Sequence, residues 1–316
     1  MRIVFSVILL LVSVLASFAM QYENKQLERQ IERLFSPSLD LLDVKLALDS
    51  MVGGTTGDTQ SEIEQMITAL QTMAADARAS GDKLKVLKRF LYEPGPWNGG
   101  RAFTYDMSDP LGHKPINRIL SHYVETRLGN CVTMPVLFLV LGRSIGLDLS
   151  LSTAPLHLLV KYTDDNGEVW NLEATSGGGF TRDGWYRKQL PMTDEAVANG
   201  VYLSKLNHEE SVAVLANTLI SHFLASNRPE DAIIAADIIL KHHPRNAPTM
   251  VQRASAFYLI LKRDKLDRYT YESQLTPDIK AYVVMLNAEN LAGFAAAEGL
   301  GWRESDGIKP TGASNP

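Results

Sequence analysis

An α+β protein is what the amino-acid sequence predicts, on three observations. Apolar residues recur at helical spacing from Glu23 to Tyr92 and again from Asn207 onward. Three short runs rich in Leu, Val, Trp and Tyr lie between those regions. The last two runs flank Asp164-Asp165-Asn166-Gly167, a hairpin signal, so a helix followed by an antiparallel sheet should sit between two helical parts.

Taken in order, residues 1–19 read as an export signal. Arg2 supplies a positive start, Ile3 to Leu15 an apolar stretch, and Ser17-Phe18-Ala19 a small-x-small cleavage site, so the mature chain is expected to begin near Met20 in a periplasmic or secreted protein. Left uncleaved, the same stretch approaches the length of the shortest spanning helices and would be the one membrane contact. A helical region, 20–92, follows. Ser38 is placed to cap a run through Leu39, Leu42, Val44, Leu46 and Leu48, Gly53 to Gly57 is a hinge, Ser61 begins a second helix, and Lys83 to Tyr92 is a third, stopped by Glu93-Pro94-Gly95-Pro96.

The central region, 93–205, opens with a long loop carrying Trp97, Phe103 and Tyr105. A helix from Ile116 to about Thr126 comes next, then a turn at Gly129 and an apolar helix ending at Gly146. Pro135 requires that this helix start near Thr133 or leave the Cys131 carbonyl unpaired. Strands are expected over Leu147–Ser152, Leu156–Tyr162 and Glu168–Ala174. Region 206–300 is helical: Val212–Ala225, a break at Asn227-Arg228-Pro229, and Glu230–His242 form a unit of about 34 residues, the tetratricopeptide period, followed by Ala247–Leu261 and Asp278–Glu298. Residues 301–316 read as a flexible tail.

The 316 residues are 45% hydrophobic and 21% charged, an ordinary globular composition. The net charge of -5 becomes about -6 without Arg2, and no Lys/Arg stripe exists, which excludes nucleic acid as a partner class. Gly177-Gly178-Gly179 is no phosphate loop, because no Gly-Lys-Ser/Thr follows, and the histidines show no metal-ligand spacing, so neither metal nor organic cofactor is expected.

Cys131 is the one cysteine, so in an oxidising compartment it has no internal partner and is either inert or kept free for chemistry. It lies beside the start of a buried helix, a position that favours the reactive thiolate. His157 begins one predicted strand and Glu173 ends the next. Pairing across the hairpin would bring imidazole and carboxylate side by side, with the helix start packing against them: an activated nucleophile with its base and an orienting acid. Asn171, on the same strand face, competes as the orienter. An oxyanion site would combine the Cys131 backbone N–H with a second donor, for which Asn130, Trp97 and Tyr123 are candidates. Gly177 and Gly178 would allow a close approach beside the site, with Trp185 and Tyr186 as groove walls.

Cysteine before a helix, histidine on a strand and acid on the following strand is the order of the transglutaminase-like fold within the papain-like superfamily, and Gly129-Asn130-Cys131 resembles its Gly-Gln-Cys signature. The span from Leu91 through Phe180 is similar to the bacterial SirB-type proteins, through Tyr105-Asp106, Asn117-Arg118-Ile119-Leu120, Arg127-x-Gly129, Pro155-x-His157-x-Leu159-Val160 and Gly177-Gly178. That resemblance implies a helical N-terminal part, a papain-like core and C-terminal tetratricopeptide-like repeats. Many SirB-type members lack cysteine at this position, and the usual acid is Asp followed by Pro where this chain has Glu173-Ala174. The expected activity is cysteine acyl transfer, with hydrolysis of an amide or peptide bond through a thioester ahead of transamidation, on a protein or peptide substrate. The alternative is an inactive scaffold that binds an envelope protein or peptide through its helical repeats.

Overall fold

The computed structural model describes residues 21–110, 112–269, 271 and 274–304, so the expected export signal over 1–19 and most of the expected tail lie outside the described residues. The chain is a mixed α+β fold with a small antiparallel sheet between helical N- and C-terminal parts.

Four helices open it: α1 (21–34), α2 (Leu41–Met51), α3 (Gly57–Met73) and α4 (Ser80–Tyr92). Three starts differ from the expectation, with α4 beginning at Ser80 rather than Lys83. Asp40, not Ser38, caps α2: its carboxylate accepts from the Asp43 N–H at 2.9 Å while the Asp43 carboxylate accepts from the Asp40 N–H at 3.3 Å. Ser38 instead exchanges a hydrogen bond with Ser36. Helix α3 begins at Gly57, absorbing the end of the glycine hinge.

The predicted helix from Ile116 is divided in two. Pro115–Arg118 forms a 3-10 turn, Ile119 is extended, and α5 spans Leu120–Thr126. The cause is tertiary. Asp49 of α2, buried and ion-paired with Lys45, accepts from the Leu120 N–H at 2.8 Å, and Lys45 donates to the Arg118 carbonyl at 2.7 Å. Burial pulls the Lys45 ammonium down and pushes the Asp49 carboxyl up, and their pairing opposes both shifts.

Helix α6 (Thr133–Ser144) begins at one of the two places Pro135 allows. Val136, Leu137, Phe138, Leu139 and Leu141 are all buried, so it is apolar on every side, as a helix in the middle of a core must be. Two short strands that no periodicity announces, β1 (Thr104–Tyr105) and β2 (Leu128–Gly129), pair in parallel just ahead of it and set Tyr105 opposite Gly129. Gly129 is required there: a β-carbon would lie 2.5 Å from the Tyr123 ring and 2.7 Å from Met134.

The sheet runs β3 (Asp148–Ala154), β4 (His157–Thr163), β5 (Val169–Glu173) and β6 (Gly179–Thr181), all antiparallel and in sequence order. Alternation gives it two faces. Leu149, Leu151, Val160, Tyr162 and Leu172 enter the main core with α6. The opposite face carries Ala154, His157, Leu159, Lys161, Asn171 and Glu173. Its apolar part packs with Tyr186 of α7 (Asp183–Gln189), Ala196 of α8 (Asp194–Ala198) and Val201, Tyr202 and Leu203. The outer edge of β3 is closed by the following chain, whose Leu203 and Leu206 N–H groups donate to Thr153 and Leu151.

Helices α9 (His208–Ala225), α10 (Pro229–His242), α11 (Ala247–Leu261) and α12 (Pro277–Gly299) follow, each packed on the next. Helices α9 and α10 join the main core, while Ile260 and Leu261 of α11 and Leu286 of α12 form a small cluster of their own. Val212, Leu219, Phe223, Ala236 and Ile239 share one apolar cluster with Ile31, Leu48, Leu87 and Phe138. Phe35 stacks on His242 at 3.9 Å, and Glu32 accepts from Lys241 and His242, which fastens α1 to α10. Among the described residues no helix is long and apolar enough to cross a membrane.

Candidate active site

The turn that carries Cys131 is fixed from both sides. The Asn130 side-chain oxygen accepts from the Val132 and Thr133 N–H groups at 2.9 and 3.2 Å, and the Thr133 hydroxyl accepts from the Asn130 N–H at 3.2 Å. Asn130 and Thr133 are buried, so this reciprocal cap holds the thiol at the entrance of α6. The sulfur itself is half-buried, with Sγ donating to the Leu156 carbonyl at 3.8 Å, and it lies close enough to the His157 imidazole to favour its charged form.

His157 and Glu173 meet at 2.7 Å through Nε2 and Oε2. They are not directly opposite. The β4–β5 register pairs Lys161 with Asn171 and Val160 with Leu172, which carried onward sets Leu159 opposite Glu173 and makes His157 its diagonal neighbour. A diagonal contact spans more than a direct one, and the longer glutamate side chain reaches it where an aspartate at the same position would fall short by a methylene. With Nε2 on the carboxylate, Nδ1 is the imidazole nitrogen left for Cys131.

Every acceptor position of Glu173 is used. Tyr186 donates to Oε2 at 2.9 Å, and the Thr175 hydroxyl and N–H donate to Oε1 at 2.6 and 3.2 Å. Burial would raise Glu173, but His157 and these donors hold it below the usual carboxylate value. For His157, burial works against the proton, and the Glu173 charge together with the Cys131 and Glu173 hydrogen bonds overcomes it, pushing the imidazole up to about 10. The pair is therefore carboxylate and imidazolium at neutral pH.

Tyr105 lies close enough to feel Cys131, Asp109 and Glu173. Burial first and those charges second push its phenol up to about 12, so it stays protonated, donating to the Pro110 carbonyl at 3.1 Å. Tyr92 donates to the Ala174 carbonyl at 2.8 Å, steadying the chain immediately after Glu173.

The remaining predicted site residues take several places. The Asn171 amide donates to Asp183 at 2.6 Å, beside Lys161, and does not touch His157; the Glu173 carboxylate occupies that position. The indole N–H of Trp97 donates to the Phe90 carbonyl at 3.2 Å, with Arg89 over the ring, which turns this donor away from the sulfur. The Asn130 oxygen is occupied by the turn while its amide nitrogen faces Gly112, and Tyr123 is buried against Phe103 and Gly129. Gly177 and Gly178 adopt positive φ of 65° and 68°, and a β-carbon on Gly178 would press on Lys88 and Phe138 at 3.0 and 3.1 Å, so they serve the turn into β6. Trp185 is exposed, as a groove wall requires, whereas Tyr186 is buried beneath Glu173. Nothing in the sequence marked Tyr186 as a donor, since α7 sits ten residues beyond the strand it serves. Among the described residues no three His, Cys, Asp or Glu side chains gather to hold a metal ion.

A thiol at a helix entrance, an imidazole on the neighbouring strand and a buried carboxylate behind it is the arrangement of papain-like cysteine enzymes. The sequence model of the transglutaminase-like superfamily matches residues 57–213, so the chain carries a transglutaminase-like superfamily domain, and that match spans α3 through the start of α9. Similar curated proteins include a UPF0162 protein of Buchnera aphidicola subsp. Acyrthosiphon pisum, 23% identical over 209 residues covering 64% of this chain and 72% of that one. Another is a UPF0162 protein of Xylella fastidiosa strain 9a5c, 26% identical over 224 residues covering 66% and 75%. No solved structure matches.

Proposed function

We propose that this protein is an exported cysteine acyl-transfer enzyme that hydrolyses an amide or peptide bond. The observation that carries the reading is the buried His157–Glu173 pair at 2.7 Å, closed at its far end by Tyr186 and Thr175, with the Cys131 thiol beside the imidazole at the entrance of α6. The Cys131 thiolate attacks the amide carbonyl, and the Cys131 backbone N–H faces the oxyanion. The His157 imidazolium gives its Nδ1 proton to the departing amine, leaving a thioester. Water then attacks, losing its proton to the neutral imidazole, and the acid departs as the thiolate re-forms beside the imidazolium. Glu173 keeps the ring in one orientation and stabilises its charged form. We read the C-terminal helices as tetratricopeptide-like and the whole as SirB-type, with a polypeptide substrate met outside the cytoplasm.

Alkylation tests this. Iodoacetamide at pH 6 should modify wild-type Cys131 at least about tenfold faster than it modifies the His157→Ala variant, because a neighbouring imidazolium favours the attacking thiolate. Equal rates, or labelling only after denaturation, would remove the catalytic reading and leave a binding scaffold.

A further inference from the structure

Two large apolar side chains stand in solvent at the rim of the site: Leu156 is 79% exposed and Trp185 48%. Each is one residue from the contact between His157 and Tyr186, whose ring centroids lie 6.1 Å apart. Trp185 meets Tyr186 edge-on at 5.2 Å, and the Leu156 carbonyl accepts from Sγ at 3.8 Å.

Leu156 also holds φ at 55°, the left-handed region, where its β-carbon crowds the backbone. Glycine or asparagine would make the same turn with less strain. The fold makes little use of leucine here, since the side chain is mostly in water and the backbone is strained to display it. Strain kept at an exposed position beside a nucleophile points to a contact made with a ligand.

We propose that Leu156 and Trp185 form an apolar rim that selects acyl donors bearing a large apolar side chain beside the amide to be cleaved. The inference rests on the acyl-transfer reading. A polar side chain in that place would lose its hydration against hydrocarbon with no hydrogen bond in return, whereas an apolar one removes both itself and the rim from water.

The test uses two peptidyl vinyl sulfones, identical except that the residue adjoining the electrophile is leucine in one and the near-isosteric asparagine in the other. Wild-type Cys131 should react about tenfold faster with the leucine compound, the discrimination a partly enclosed apolar contact provides. In Leu156→Asn, which suits the left-handed turn, and separately in Trp185→Ser, the ratio of the two rates should fall toward one. Using a ratio cancels any change in the thiol itself. A wild-type ratio near one, or a ratio that survives both substitutions, overturns the rim while rapid iodoacetamide alkylation in the same protein leaves the acyl-transfer reading standing. A native thiol inert to all three reagents overturns both.

Discussion

Replacing Glu173 with glutamine keeps the size and one oxygen acceptor of the side chain but deletes the charge that holds the His157 proton. In the native protein the imidazole rises from 6.5 to about 10 against the cost of burial. That rise corresponds to about 5 kcal/mol of preference for imidazolium at about 1.4 kcal/mol per pH unit. Glu173 is the foremost group opposing burial, so in Glu173→Gln burial should prevail and His157 should titrate below pH 7. The assay is the imidazole carbon-bound proton signal by NMR, assigned among the seven histidines by its loss in His157→Ala. Stability should follow with a defined sign. The folded histidine keeps its proton up to about 10 and the unfolded one releases it near 6.5, so the contribution is complete below 6.5 and fades between those values. Because Glu173 is held ionised below its usual 4.5, the same pair weakens again as pH falls from 4.5. The gap in unfolding free energy between wild type and variant should therefore be widest from pH 5 to 6.5. A His157 midpoint that stays above 9 in the variant would refute the coupling.

Three further outcomes follow from the packing. Tyr186→Phe removes one of the donors to Glu173 and should slow Cys131 alkylation at pH 6 by a factor corresponding to about 1–2 kcal/mol, with a lowered His157 midpoint to distinguish this from general loosening. Lys45→Met leaves the Asp49 carboxylate buried without its partner and should cost about 3–5 kcal/mol in urea unfolding, a loss that adding Asp49→Asn should partly recover. Gly129→Ala forces a methyl onto Tyr123 and Met134 and should destabilise by about 1–3 kcal/mol, with reduced thiol reactivity because the same turn aims Cys131.

Cys131, His157 and Glu173 were legible because each signals locally: a lone cysteine before an apolar helix, and a histidine and an acid at the ends of two strands joined by an obvious hairpin turn. The main helices were legible for the same reason, through period and breakers. What escaped the sequence was set from a distance. Strands β1, β2 and β6 span two or three residues each, too few for alternation to appear. The division at Ile119 depends on a carboxylate 71 positions away in the chain. Asn171 and Trp97 carry donors that suited the site on paper, yet Asp183 and the Phe90 carbonyl were nearer. Tyr186 is the reverse case, a residue read as a wall that proves to be a strut, because only the fold of α7 onto the sheet shows where its hydroxyl goes.

The Lys45–Asp49 clamp makes the amino-terminal helices part of the support for the Cys131 turn rather than a passenger on it. The Asp49 carboxylate accepts from the first N–H of α5, whose own N-cap Ile119 has no side-chain cap, and the turn bearing the thiol follows α5 and is tied back by Thr133 to the Asn117 carbonyl. Trimming the polypeptide to the matched segment 57–213 would therefore release the footing of the Cys131 turn along with the deleted helices, and a fragment that keeps that turn has to retain α2.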